Sequence, residues 1–197
     1  MVESLSSRFQ AFSLPRFCNA DKLFCCEEQT AVALLRAVCE PHLRWLVKQT
    51  EESANVVVRL GNEARFIATV QSEHVLRVGD RVGVSLPAHL ASGGKAILAA
   101  LPPGEVADLY KDGDVDLPRL HRELGLVRRR GFAINDQLTE TGLIAIGVLV
   151  RDESGAPLAG LSVALPTARF DRDALPGWVS TLTTAARRIE AAMTRQR

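Results

Sequence analysis

The chain has 197 residues, of which 47% are hydrophobic and 24% are charged, a composition typical of one globular domain with a substantial core. Lys and Arg total 24 against 23 Asp and Glu, so the net charge of +1 gives no long-range field that would attract a polyanion. No stretch approaches the roughly 20 apolar residues that cross a bilayer, and the N-terminus lacks the order of a secretory signal. We therefore expect a cytoplasmic protein with no membrane partner.

The first 50 residues divide into two parts. Residues 1–28 show no sustained helical or strand period, which predicts an irregular N-terminal arm. Between Glu27 and Glu52 apolar residues recur at helical spacing, interrupted by Pro41, which predicts two helices or one kinked helix. Adjacent Cys25 and Cys26 do not give the spaced pair that metal sites favour, and no histidine has a helical histidine neighbour, so we expect neither metal nor cofactor.

The middle of the chain reads as a hairpin followed by helices. Two β-rich runs at 54–60 and 64–71 flank a Gly-Asn-Glu turn, and a short third strand is expected around Val75–Val78. Helices are predicted at Ala91–Leu101, where Pro102 ends the segment, and then at 103–110 and 117–130, the last of them ending at Gly131.

The last third alternates strands and a long helix. Residues 142–150 and 157–165 predict antiparallel neighbours joined by a turn. Residues Asp171–Met193 predict a closing helix capped by Asp171 or Asp173. Strands and helices in this order indicate an α/β fold of the α+β kind, an antiparallel sheet flanked by helices.

The two late strands carry bulky residues on one face and small residues on the other. We expect the bulky face to pack on the closing helix and on the helices before residue 50. The small face must be covered either by a closely packed helix or by a ligand. The bulky residues are Ile144, Ile146, Val148, Val150, Leu161, Val163 and Leu165, and the small ones are Ala145, Gly147, Gly160, Ser162 and Ala164.

The segment Ser85–Lys95 could supply part of such a site. Gly93 and Gly94 lie where a helix begins, and free backbone N–H groups at a helix start can bind a carboxylate or a phosphate. Ser92 and Lys95 also match S-x-x-K, a nucleophile signature, but its companion motifs are absent. With His89 as the base, these residues form the one enzymatic alternative, and we expect no enzyme activity.

Taken together, three blocks in order resemble the effector-binding domain of IclR-type transcription regulators. They are PHLRWLVKQTEESANVVVRLGNEARFIATVQSEHVLRV, then VGVSLPAHLASGGKAILAALP, then RRRGFAINDQLTETGLIAIGVLVRDESGAPLAGLSVALPTARF. The resemblance covers about Val32–Thr194 and implies a GAF-like fold. It divides the chain into an arm at 1–28, a linker with the first helices at 29–50 and the effector-binding domain at 51–197.

The resemblance also implies an effector pocket between the sheet and the glycine motif. Two polar positions of the acid-binding members are Asn135 and Ala145 here, and an expected serine is Ala164. These losses predict a larger or more apolar ligand than acids of the size of glyoxylate. The implied pocket residues are Val75, Val78, Leu86, Ser92, Gly93, Asn135, Leu143, Ala145, Ser162 and Ala164.

The function implied is that of a ligand-sensing and oligomerisation domain that controls transcription. Its partners would be a small organic effector, either an acid or an aromatic compound, and further copies of itself in a dimer or tetramer. DNA would be reached only through a winged helix-turn-helix module, for which residues 1–28 are too short. The alternative is a pure dimerisation or interaction module whose pocket is closed.

Overall fold

The computed structural model describes residues 26–195, so most of the predicted N-terminal arm lies outside the described residues. The described residues form five α-helices and six strands. In chain order these are α1 (Cys26–Thr50), β1 (Ser53–Leu60), β2 (Glu63–Val70), β3 (Ser85–Pro87), α2 (Ser92–Ala100), α3 (Pro103–Tyr110), α4 (Leu117–Arg130), β4 (Ala133–Asp136), β5 (Leu143–Arg151), β6 (Pro157–Pro166), a 3-10 turn (Thr167–Arg169) and α5 (Leu175–Thr194).

The six strands form one sheet in the order β3-β2-β1-β6-β5-β4. Every neighbouring pair is antiparallel. The first and last strands in the chain, β1 and β6, are neighbours at the centre of the sheet. Asn55 lies opposite Ser162 in this pair, and Val57 lies opposite Gly160. This arrangement confirms the predicted antiparallel sheet flanked by helices.

The bulky face of the sheet packs on α1 and α5, as predicted. Branched residues of β5 and β6 meet the apolar stripes of both helices in one buried cluster. The two helices also contact each other, and the Arg188 guanidinium lies 4.0 Å from the centre of the Trp45 ring. The cluster includes Leu35, Leu43, Leu46, Val56, Ile146, Val148, Val150, Leu161, Val163, Leu182, Ala185 and Ile189.

The other face is covered by α2, with α4 packed behind it. The nine-residue α2 is buried on almost every side, and only its last residue, Ala100, is partly exposed. A second apolar cluster joins Val57 and Phe66 of the sheet to Leu98 of α2 and Leu124 of α4. The molecule therefore has a layer of two helices, the sheet, and then α2 backed by other helices.

The predicted strand at Val75–Val78 is wrong. Residues 71–84 form a loop, which we call the cover loop, and the chain re-enters the sheet only at Ser85. Gly83 and Val84 at the end of the loop exchange backbone hydrogen bonds with Phe66 of β2. Earlier in the loop, side chains hold the backbone, since the Ser53 hydroxyl donates to the Val78 carbonyl at 2.7 Å. The apolar run misled the prediction because Val75 and Leu76 project into solvent, with 99% and 63% of their surface exposed.

The ends of several helices also differ from expectation. Of the two alternatives predicted before residue 52, the single helix is the one observed, since α1 continues through Pro41. The cap predicted for α5 is wrong, since Ala174 precedes its first residue and no side chain caps it. The Asp171 carboxylate instead accepts the Asp173 N–H at 2.9 Å in a turn ahead of the helix. A short strand, β4, follows Gly131, whose φ of 82° ends α4 as predicted.

Candidate functional site

Two glycines on the small face bring the start of α2 against the sheet. A Cβ built on Gly147 would lie 2.5 Å from the Ser92 carbonyl carbon, and one built on Gly160 would lie 2.3 Å from the Gly93 oxygen. Neither distance is compatible with a real side chain, so both positions require glycine. Close helix packing, one of the two alternatives that the sequence left open, therefore occurs over this half of the face.

A small cavity remains over the other half of the face. Its volume is about 20 Å³, enough for roughly one water molecule. Its walls come from the sheet, the start of α2, the cover loop and the turn between β4 and β5. The lining residues are Asn55, Val57, Phe66, Arg81, Leu86, Ala91, Ser92, Gly93, Asn135, Thr139, Leu143, Ala145, Ser162 and Ala164.

The structure brings together eight of the ten residues that the resemblance implied, all except Val75 and Val78. Val78 lies just outside the cavity, where it is buried in a small cluster with Leu143, Ala145 and Ala164. Val75 is 99% exposed at the tip of the cover loop and is not part of the cavity wall. Only the resemblance, by position in the family pattern, implied that Val75 belongs to the pocket.

Several lining residues were missed by the sequence analysis. Asn55 and Val57 could have been found, because strand alternation and the pairing of β1 with β6 put them on the same face as Ser162 and Gly160. Arg81 and Thr139 could not, because they lie in loops whose paths no periodic pattern predicts.

The polar groups of the cavity fall into two sets. The Asn55 and Asn135 amides are engaged, the first accepting from the Thr69 hydroxyl at 2.9 Å and the second donating to the Thr139 hydroxyl at 2.7 Å. The Ser92 and Ser162 side chains, 3% and 4% exposed, form the second set and contribute their hydroxyl groups to the cavity wall. A hydroxyl can both donate to and accept from a ligand.

Arg81 is the only charged side chain among the described residues that line the cavity. Its guanidinium lies 6.0 Å from the centre of the Phe66 ring and forms an ion pair with Glu140 in the turn between β4 and β5. Its backbone N–H donates to the Thr69 hydroxyl at 3.3 Å. The Arg81 side chain is 19% exposed, whereas that of Glu140 is 56% exposed.

Hydrogen bonds hold residues 72–78 of the cover loop. The Ser53 hydroxyl, besides donating to the loop, accepts the Ser72 N–H at 3.0 Å. Arg169 reaches the loop from the other side, donating to the Leu76 carbonyl at 2.9 Å while it pairs with Glu52. The hydrogen bond that Arg169 donates to the Glu52 carboxylate raises the pKa of Arg169. The loop thus has a fixed position over the cavity in this structure.

The enzymatic alternative finds no support in the arrangement of its residues. The Lys95 ammonium is fully buried and donates to Glu123 at 2.5 Å and to the Ile134 carbonyl at 3.0 Å. Ser92 lines the cavity, whereas His89 lines a different hollow of about 310 Å³ beside Tyr110. Within residues 26–195 no hydrogen bond joins these candidates as nucleophile and base.

His89 and Cys39 have shifted pKa values with structural causes. Burial first, and then the Lys95 charge, lower the pKa of His89. Burial raises the pKa of the Cys39 thiol to about 12, so this cysteine is an inert core residue. Among residues 26–195, no group of three His, Cys, Asp or Glu side chains is arranged to hold a metal. None of the described helices has the length and apolar character needed to cross a bilayer.

Comparison with known proteins places the chain in a family. Residues 29–191 match the family model for the bacterial transcriptional regulator IclR C-terminal domain. The repressor AllR of Klebsiella pneumoniae is 33% identical over 162 residues, a match that covers 78% of this chain and 60% of that protein. The chain thus spans about three fifths of the length of the curated relatives it matches.

Solved structures agree with the observed fold. The Thermotoga maritima IclR structure superposes with a TM-score of 0.76 at 26% identity, covering 83% of this chain and 70% of that one. An IclR homologue from Microbacterium hydrocarbonoxydans, solved in complex with 4-hydroxybenzoate, gives a TM-score of 0.73 at 26% identity over the same shares. The chain therefore belongs to the IclR family of bacterial transcriptional regulators, and its residues 29–191 correspond to the family's C-terminal domain.

Proposed function

We propose that this domain binds a small organic acid with an aromatic or otherwise apolar body in the cavity between the sheet and the start of α2. Binding there would change how subunits pair, and through a DNA-binding module it would regulate transcription. The observation that carries the proposal is the cavity itself, where the Ser92 and Ser162 side chains meet the small side chains of β5 and β6 beside the start of α2.

The proposed ligand class rests on the chemistry of the walls. Val57, Phe66 and Leu86 supply apolar surface, and Ala145 and Ala164 leave room where larger residues would fill it. The 4-hydroxybenzoate bound by one structural relative is an aromatic carboxylate. An acid of that kind can contact both the apolar walls and the Ser92 and Ser162 hydroxyls, whereas a two-carbon acid leaves most of the apolar wall without a contact.

The cavity must enlarge to hold such a ligand, because about 20 Å³ is far smaller than an aromatic ring. The cover loop is the wall best suited to move. It has no strand partner over residues 71–80, and only side chains such as Ser53 and Arg169 fasten its outer part. The helix start cannot yield as easily, because it packs directly on Gly147 and Gly160.

A thermal-shift screen tests the proposal. At a hundredfold excess over Kd, a ligand stabilises the fold by about 2.7 kcal/mol, which raises the Tm of a domain of this size by about 5–10 °C. We expect 4-hydroxybenzoate or a similar acid to do this and the Ala164→Leu variant, whose new side chain fills the cavity, to lose the effect. Ala107→Leu on α3 is the matched control. Stabilisation by two- or three-carbon acids alone would contradict the proposed ligand class.

A pure interaction module is the second candidate. The small volume of the cavity, about 20 Å³, favours this candidate. Val75 and Leu76 also favour it, because they are apolar and exposed at the tip of the cover loop. In that case the domain self-associates tightly whether or not a ligand is present. Size-exclusion chromatography with light scattering separates the two, because only a sensor changes its oligomeric state or its stability when a ligand is added.

A further inference from the structure

We propose that Arg81 selects an anionic effector, and that Glu140 is a built-in competitor which occupies the Arg81 guanidinium until the carboxylate of the effector takes its place. The inference rests on the proposed function and goes beyond it by naming the residue that recognises the ligand's charge. It also identifies the contact that the ligand must displace.

Arg81 is placed to recognise an anion inside the cavity. It is the one charged residue in the described lining, and its side chain is only 19% exposed. The centre of the Phe66 ring lies 6.0 Å from the guanidinium, at the outer limit of a cation–π contact. A carboxylate that enters the cavity therefore meets a positive charge that is poorly screened by solvent.

The present partner of Arg81 holds it weakly. Glu140 is 56% exposed, so its carboxylate stays largely hydrated, and ion pairs of this kind contribute little. A single guanidinium nitrogen, Nη2, contacts a single oxygen of Glu140. An arginine can offer two parallel N–H groups to one carboxylate. A ligand that uses both from the buried side therefore has an advantage over Glu140.

Displacement of Glu140 would free Arg81 and would also let the walls of the cavity move apart. Arg81 belongs to the cover loop and Glu140 to the turn between β4 and β5, so their ion pair joins two walls of the cavity. The preceding residue of that turn, Thr139, lines the cavity and accepts from Asn135. A carboxylate ligand thus breaks the contact that keeps the walls together, whereas a neutral molecule leaves it intact.

Calorimetric titration of matched acids and amides tests the inference. The probes are benzoate, 4-hydroxybenzoate, phenylacetate and hexanoate, each with its primary amide. We expect the carboxylates to bind at least about tenfold more tightly than the amides. Arg81→Gln should weaken carboxylate binding by about 10- to 100-fold without weakening amide binding. Glu140→Gln should tighten carboxylate binding by up to about fivefold, because the competitor is gone.

A second ion pair in the chain supplies matched controls. Arg59 and Glu105 have side-chain exposures of 17% and 47%, close to those of Arg81 and Glu140, and lie outside the cavity lining. Arg59→Gln and Glu105→Gln should leave every affinity within about twofold. Arg81→Lys keeps the charge without the paired donors, so it should show an intermediate loss and serves if Arg81→Gln fails to fold.

The outcomes separate this inference from the proposed function. If acids and amides bind equally well, or if Glu140→Gln fails to tighten carboxylate binding, the inference is wrong while the cavity remains a ligand site. If none of the acids or amides binds to the wild-type protein or to any variant, the proposed function is wrong for this ligand class, and the inference falls with it.

Discussion

On the side of α1 and α5 the sheet buries a continuous layer of branched side chains, whereas on the side of α2 glycine and alanine let a helix backbone come close. The first contact is made by many interchangeable apolar groups. The second depends on Gly147 and Gly160, which admit the start of α2, and on one buried ion pair between Lys95 and Glu123. The cavity lies on the second side, where the start of α2 leaves part of the face uncovered.

The comparison explains why stability and function are separated in this domain. The apolar face can absorb volume-conserving changes, because its free energy is spread over many residues. The α2 face is sensitive to single added atoms, and the cavity on this side is lined by Ser92, Ser162 and Arg81. Three sets of variants test this difference between the two faces.

The largest effect is expected at the buried ion pair. Glu123→Ala should lower the free energy of unfolding by about 3–5 kcal/mol, because it leaves the fully buried Lys95 charge with only the Ile134 carbonyl. Lys95→Met is the matched change on the other partner and should cost less than about 2 kcal/mol, because Glu123 is 34% exposed and can remain hydrated. Urea unfolding measures both, and equal losses would show that burial of Lys95 is not what matters.

A smaller effect is expected from one added methyl group on the α2 face. Gly160→Ala should cost about 1–3 kcal/mol and alter ligand affinity, because the new Cβ would lie 2.3 Å from the Gly93 oxygen and must push α2 away. Leu161→Ala on the same strand removes a fully buried side chain from the opposite face. It should cost about 2–5 kcal/mol and leave ligand affinity unchanged. A Gly160→Ala protein with the stability and affinity of the wild type would contradict the close contact.

The smallest effect is a dependence of stability on pH that involves a histidine on each side. Burial lowers the pKa of both His42 and His89, with nearby positive charges adding to it. Below the unfolded pKa of about 6.5, the unfolded chain binds more protons than the folded one, so stability falls as the pH drops from about 7 to 5. Urea unfolding across this range should show a shallower decline for the double variant His42→Gln, His89→Gln. An unchanged slope would assign the decline to other groups.

Much of the fold could be predicted from the sequence, because most helices and strands follow from the local spacing of their apolar residues. Strand alternation in β5 and β6 separated the bulky from the small face, and helical spacing identified α2, α3 and α4 close to their observed bounds. The family motifs led to eight of the cavity residues. The predictions failed where a segment's environment, and not its own pattern, sets its structure, as in the exposed tip at Val75 and the uncapped start of α5.

The amino-acid sequence was enough to identify the residues that could be buried and the strand positions whose side chains are too small to cover their own face of the sheet. Which helix or loop covers those positions depends on contacts between residues far apart in the chain, so it follows only from the folded structure. The start of α2 takes the space over Gly147 and Gly160, and Arg81 meets Glu140 across 59 residues of sequence. Sequence periodicity does not predict such a contact, because the path of a loop is set by the surfaces on which it packs.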